Sequence, residues 1–177
     1  MEATRIAQAH GYNGLNVRDL AGAVGIKAAS VYYHFASKAD LGAAVARRYW
    51  EDSEAALHAM QAALGGPLEC LRRYPETFRK ALARDNRICL CSFMAAETDN
   101  LPDEIKKEVR KFADVNIAWL EQMLLASATI PDKECKGRAE AIFAAVAGAQ
   151  LIARSRSDIA LYDQLIAGYS SAGLIPA

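Results

Sequence analysis

Two short amphipathic segments separated by a glycine constrain the fold of this chain more than any other feature. Asn16 precedes the first segment and is a residue type whose side chain caps the first turn of a helix. The apolar residues that follow recur at helical spacing on one face: Val17, Leu20, Ala21 and Val24. Gly25 comes directly afterwards, where a left-handed residue commonly ends a helix.

A second helix of about two turns is predicted from Ala28 towards Phe35. Its apolar face repeats the same spacing with Ala28, Val31, Tyr32 and Phe35, and its outer face carries Lys27, Ala29, Ser30, Tyr33 and His34. Two short helices joined by a turn of about three residues are typical of a helix-turn-helix, whose second helix enters the DNA major groove. We expect Tyr32 to be mostly packed, and these side chains to form the core: Val17, Leu20, Ala21, Ile26, Val31 and Phe35.

The charge distribution fits a nucleic-acid reader joined to a second part. The net charge is zero, but residues 1–50 carry 6 Lys and Arg against 3 Asp and Glu, whereas the remainder carries 15 against 18. A mildly basic N-terminal part favours contact with phosphates, although an ordinary solvated surface explains the same numbers.

The same region resembles a known family. The matching residues are Gly11-Tyr12, Val17-Arg18-Asp19-Leu20-Ala21, Gly25-Ile26, Val31-Tyr32-Tyr33-His34-Phe35 and Ser37-Lys38. Over about residues 3 to 50 they resemble the N-terminal domain of the TetR family of transcriptional regulators. The resemblance implies an all-α homodimer with a three-helix DNA-binding domain over 1–50 and a helical effector-binding and dimerisation domain over 51–177. It also implies double-stranded operator DNA and an unknown small-molecule effector as partners, and favours a repressor released by that effector.

The positions that match the family's DNA contacts are Asn16, Arg18, Lys27, Ala28, Ala29, Ser30, Tyr32, Tyr33, His34 and Lys38. Arg18 and Lys38 are cations at helix starts, where they oppose the helix dipole, so we interpret them as phosphate ligands. Lys27 and Ala29 stand where the family frequently has Ser and Gly, which leaves the operator bases open. The family's longer first helix and basic arm are missing here, so we expect a trimmed chain or a start that lies upstream.

Helical periodicity continues through the rest of the chain. Further helices are predicted over 38–63, 68–84 with a kink at Pro75, 88–98, 102–126, 132–154 and 158–172. Ser37 is the expected cap of the first and Ser157 of the last, while Gly173 is its stop.

Two sites are sketched in this second part. Aromatic and soft side chains that favour a small apolar or amphipathic effector are Tyr74, Phe78, Cys89, Phe93, Met94, Phe112, Trp119 and Met123. The last two helices carry a surface expected to form the dimer interface: Ala141, Ala144, Ala145, Gly148, Leu151, Leu161, Leu165 and Tyr169. For each residue of both sets, the alternative to a role in binding is packing in the chain's own core.

Cys89 and Cys91 lie two residues apart on a predicted helix and would point to opposite faces, which disfavours a shared metal or a disulfide. They are interpreted as buried hydrophobes, with a thiol sensor of oxidants or electrophiles as the alternative. Cys70 and Cys135 are expected to pack. Four cysteines with no apolar leader and no span long enough for a bilayer favour a cytoplasmic protein away from membranes.

An enzyme is disfavoured. The chain has three histidines, His10, His34 and His58, and no nucleophile–base arrangement or glycine-rich phosphate loop. We expect no catalytic residue, metal or cofactor. A helical ligand-binding protein that no longer binds DNA is the second alternative.

Overall fold

The computed structural model describes residues 2–176, and within that range it contains helices and connections but no strand. The helices are α1 Glu2–His10, α2 Val17–Ala23, α3 Ala28–His34, α4 Lys38–Ala63, α5 Pro67–Arg73, α6 Pro75–Leu82, α7 Leu90–Ala96, α8 Asp103–Ser127, α9 Asp132–Ser155 and α10 Ile159–Ser171, with a 3-10 turn at Thr98–Asn100. The all-α prediction is confirmed. No described helix combines the length and the apolar character that crossing a membrane requires.

Local capping explains where several helices begin and end. The Asn16 side chain accepts hydrogen bonds from the backbone N–H groups of Arg18 at 2.8 Å and Asp19 at 3.3 Å, and so caps α2 as expected. Ser37 Oγ accepts the Asp40 N–H at 3.0 Å and caps α4. Gly25 has a φ of +73°, a left-handed conformation that lets the chain turn sharply after α2.

Three predicted boundaries were wrong. The single helix over 68–84 is two helices, because Pro75 has no N–H to continue the hydrogen-bond ladder and instead starts α6. The predicted helix 88–98 is shorter, from Leu90 to Ala96. Ser157 does not cap α10, because Asp158 accepts the Leu161 N–H at 3.1 Å while Ser157 sits in the preceding turn at a φ of +51°.

The described chain forms two compact units that do not follow a single cut in the sequence. The N-terminal unit comprises residues 2–52 together with Cys89–Phe112, and the C-terminal unit comprises Ser53–Ile88 and residues 113–176. A division of labour at residue 50, with DNA binding before it and effector binding and dimerisation after it, stays a prediction. The structure shows that the segment 89–112 packs with the N-terminal residues.

Long-range hydrogen bonds hold the N-terminal unit together. The backbone N–H of Tyr12 donates to Glu97 Oε2 at 2.8 Å, just after α7. Glu108 on α8 is 5% exposed and binds two residues of α4: its Oε1 accepts from Arg47 Nη2 at 2.7 Å, and its Oε2 accepts from Trp50 Nε1 at 2.8 Å. The segment 89–112 is therefore joined to both the first loop and the long helix of the N-terminal unit.

In the C-terminal unit, α6 packs against α9 and α10. Two fully or nearly fully buried polar side chains donate to backbone carbonyls of α6: Gln150 Nε2 to Phe78 at 2.6 Å, and the Tyr162 hydroxyl to Pro75 at 2.7 Å. Buried polar groups are tolerated only when they are paired, so these bonds fix the register of the three helices.

Candidate nucleic-acid interface and effector region

The helix-turn-helix is built from α2, a short turn and α3. The N–H of Ile26 donates to the carbonyl of Ala21 at 2.9 Å and closes the turn over the end of α2. Four side chains predicted as core are buried between the two helices and their neighbours: Val17, Leu20, Ala21 and Val31. The second helix is thus held by its inner face, which leaves its outer face available.

Other core expectations were wrong. Val24, Ile26 and Tyr32 are 46%, 48% and 52% exposed, and Phe35 is half-buried. Val24 and Ile26 lie beyond the last residue of α2, Ala23, so the helical spacing no longer directs them inwards. Tyr32 lies about 100° around α3 from Val31, which is the buried residue of this short helix.

We define the recognition surface as the ten residues that match the family's DNA contacts. Eight of them are exposed: Asn16, Arg18, Lys27, Ala29, Ser30, Tyr32, Tyr33 and His34. Tyr33 is 86% exposed, with its ring edge-on to His34 at 5.2 Å between centroids. No acidic residue occurs within α3. Hydroxyl, imidazole and cationic groups without a nearby carboxylate on this helix can contact phosphates and base edges.

Ala28 and Lys38 are the two half-buried members of the recognition surface. The Lys38 ammonium donates to the carbonyl of Asn13 at 3.1 Å and lies 4.6 Å from the centroid of the Tyr12 ring. Lys38 therefore holds the loop before α2 in place, and only its remaining N–H donors are available to a phosphate.

Comparison with known proteins finds similarity to one family of regulators. Residues 2–45 match the model of the bacterial regulatory proteins of the TetR family. A TetR transcriptional regulator from Legionella pneumophila is 27% identical with a TM-score of 0.89, over 96% of this chain and 92% of that one. A TetR-family regulator from Agrobacterium tumefaciens is 28% identical with a TM-score of 0.87, over 99% of this chain and 94% of that one.

The chain resembles TetR-family regulators: its residues 2–45 match the family's model, and solved members share its fold over nearly the whole length. These matches support a DNA-binding transcriptional regulator. The reduced form of E. coli NemR, 21% identical with a TM-score of 0.86 over 99% of this chain and 94% of that one, shares the fold. The chain has no significant match among curated proteins.

The eight residues predicted to line the effector site divide between the two compact units. Tyr74, Phe78, Trp119 and Met123 are buried in the C-terminal unit, whereas the N-terminal unit contains Cys89, Phe93, Met94 and Phe112. The first set includes an aromatic cluster, defined here as Tyr74, Phe78, Trp119 and Phe143. The rings of Tyr74 and Trp119 stack with centroids 5.9 Å apart, and Phe78 lies 6.0 Å from Tyr74 and 6.1 Å from Phe143.

Polar residues in and beside this cluster were not recognised in the sequence. The Tyr74 hydroxyl donates to Asn116 Oδ1 at 3.0 Å, and Asn116 and Gln150 are almost fully buried. Asn116 lies three residues before Trp119 on α8, within a mainly apolar run. Residues three apart are neighbours on a helix surface, and this spacing could have placed Asn116 beside the indole.

The thiols of the protein are poorly suited to react with oxidants or electrophiles. All four cysteines are buried, and Cys89 caps α7 rather than lying within it. Burial raises the pKa of Cys89, although hydrogen bonds from Ser92 and Tyr49 oppose that rise. Burial, followed by the neighbouring Cys89, raises the pKa of Cys91 well above its ordinary value. A thiol with a raised pKa is a weak nucleophile, so these features give no support to the thiol-sensor alternative.

The residues predicted to form the dimer interface are accessible in the single chain. Ala141, Ala144 and Leu151 are exposed on α9, and the others are half-buried: Ala145, Gly148, Leu161, Leu165 and Tyr169. Leu151 is 58% exposed, which is unusual for a large aliphatic side chain on a long helix. Their assignment to an interface between two copies stays a prediction.

Proposed function

We propose that this regulator is a homodimeric repressor that binds operator DNA through its recognition surface and leaves the operator when a small molecule binds its C-terminal unit. The observation that supports this proposal is the contrast across the helix-turn-helix. The inner residues Val17, Leu20 and Val31 are buried, whereas eight of the ten residues that match the family's DNA contacts are exposed.

In this mechanism, phosphate contacts by Arg18 and by the remaining donors of Lys38 set the register of the helix, and α3 offers Ser30, Tyr33 and His34 to base edges. The two copies of α3 in the dimer would enter successive major grooves, about 34 Å apart. The effector shifts this equilibrium only if it binds the DNA-free arrangement more tightly than the DNA-bound one.

The first test is fluorescence anisotropy of the purified protein on labelled DNA from upstream of its own gene, against a scrambled duplex, at two salt concentrations. We expect tight, sequence-selective binding that weakens as salt rises. Equal binding to both duplexes, followed by failure to select any genomic operator, would favour the alternative of a ligand-binding protein that no longer binds DNA.

Arg18→Ala tests the phosphate contact. We expect it to weaken binding on all sequences and to reduce the slope of log affinity against log salt by about 1, because one counterion fewer is released. Arg48→Ala is the matched control, since Arg48 pairs with Asp52 at 2.9 Å and lies about 15 Å along α4 from Lys38. If both variants change the slope equally, the loss reflects net charge and the assignment of Arg18 fails.

A further inference from the structure

One tryptophan of this chain has a buried hydrogen-bond donor without an acceptor. Among the described side chains, Trp119 Nε1 and Arg87 Nε are the buried polar atoms that lack a partner. Trp119 is 4% exposed. Trp50, the other tryptophan, donates its indole N–H to Glu108 at 2.8 Å. A buried donor without an acceptor is costly and rare in folded proteins, so the one at Trp119 needs a reason.

The neighbours of Trp119 include an aromatic ring and an uncharged hydrogen-bonded pair. Its indole stacks on Tyr74 at an interplanar angle of 25°, and the Tyr74 hydroxyl is directed to Asn116 Oδ1. Met123 lies one helical turn further along α8 and is 2% exposed. Such an environment penalises a charged ligand and favours flat, apolar molecules that stack on the rings.

We infer that the indole N–H of Trp119 is the hydrogen-bond donor to the effector, and that the effector is a neutral, mainly aromatic molecule with a carbonyl oxygen. The aromatic cluster supplies the apolar contacts, and the carbonyl oxygen accepts the bond that Trp119 lacks in the free protein. Apolar surroundings with a placed hydrogen-bond donor favour molecules of this kind. The regulatory meaning of this site depends on the proposed function, whereas binding itself does not.

The inference is tested without DNA by isothermal titration calorimetry with two probes of nearly equal shape. The first is 2-acetylnaphthalene, and the second is 2-isopropenylnaphthalene, in which a CH₂ group replaces the carbonyl oxygen. We expect the wild-type protein to bind the ketone about tenfold more tightly, because only the ketone accepts a hydrogen bond.

Trp119→Phe keeps an aromatic ring but removes the donor. In this variant we expect the two probes to bind equally, with the affinity for the hydrocarbon within about twofold of wild type, since both keep their apolar contacts. Trp50→Phe is the matched control and should keep the tenfold preference. Absence of a preference in the wild type, persistence of the preference in Trp119→Phe, or binding of neither probe would each overturn the inference.

A second measurement covers the case in which Trp119→Phe does not fold. In Trp50→Phe the indole N–H of Trp119 gives a single ¹⁵N–¹H resonance, which should shift on addition of the ketone and move much less with the hydrocarbon. Equal shifts with both probes would mean that the aromatic ring of the probe, and not a hydrogen bond to its carbonyl oxygen, moves the resonance, and would overturn the inference. Fluorescence anisotropy on DNA in the presence of the ketone separates the effector-site inference from the proposed function. A protein that binds the ketone selectively but does not bind DNA would contradict the proposed function alone.

Discussion

At the scale of single residues, the N-terminal unit contains a glycine that lies against the carboxylate of a distant residue. Gly11 ends α1 at a φ of +68°, and a Cβ placed on it would overlap the carboxylate of Glu97. That carboxylate accepts the N–H of the next residue, Tyr12. The left-handed backbone therefore favours glycine at position 11, and a Cβ there would make the Glu97 carboxylate shift away from Tyr12.

Gly11→Ala should lower the free energy of unfolding by about 1–3 kcal/mol, because it adds backbone strain and displaces the carboxylate that pairs with Tyr12. Urea denaturation followed by circular dichroism, at a fixed protein concentration, measures the change. Gly22→Ala is the control: Gly22 lies in α2 with open space around it, so alanine there should be neutral or stabilise by up to about 1 kcal/mol. Equal effects at both sites would refute the role given to Glu97.

At the scale of elements, Glu108 joins α8 to α4 by hydrogen bonds to Arg47 and Trp50. Burial raises the pKa of its carboxyl, but the hydrogen bonds from Arg47 and Trp50 outweigh burial and leave the pKa below its ordinary value. A carboxyl with a lowered pKa in the folded state stabilises the protein above its ordinary pKa. That contribution is lost as the pH falls through the folded-state value.

Glu108→Gln should therefore destabilise the protein at pH 7 by about 1–3 kcal/mol, since it replaces a charge-assisted pair inside the fold. The difference from wild type should shrink below about pH 4.5, where the carboxyl of the unfolded chain takes up a proton before that of the folded protein. Urea titrations between pH 7 and about pH 3 measure it. Glu69→Gln, in a half-exposed pair with Arg73 at 3.2 Å, should cost less than about 0.5 kcal/mol throughout. A pH-independent difference at Glu108 would contradict the electrostatic explanation.

Local sequence signals predicted most helices and missed what connects them. Asn16, Ser37 and Gly25 act within four residues of the helix end that each defines, so their effect is visible in the sequence. Pairs such as Tyr12–Glu97 and Arg47–Glu108 join residues 85 and 61 positions apart, and no short-range pattern encodes them. The exposure of Val24 and Ile26 was also missed, because the apolar spacing continues to Val24 whereas α2 ends at Ala23.

At the scale of the whole molecule, the accessible face of α9 bears on assembly. Leu151→Glu should weaken dimerisation by about a hundredfold or more, because a two-fold interface would receive the unpaired charge twice. Sedimentation velocity across a concentration series measures this. Leu125→Glu on α8 is the matched control, since Leu125 is 42% exposed but lies outside the two helices assigned to the interface. A dimer unaffected by Leu151→Glu would place the interface elsewhere.

The return of Cys89–Phe112 to the N-terminal unit has a consequence for chimaeric regulators. If two relatives are joined at residue 50 to exchange DNA specificity, the loop after α1 and the start of α4 come from one parent, whereas Glu97 and Glu108 come from the other. The hydrogen-bond partners in such hybrids would not match, so the hybrids should fold poorly even though each parent folds well. Transplanting residues 89–112 with the first 52 keeps both partners of the Tyr12–Glu97 and Arg47–Glu108 pairs. Recombination points chosen this way should yield regulators with exchanged operators and intact folding.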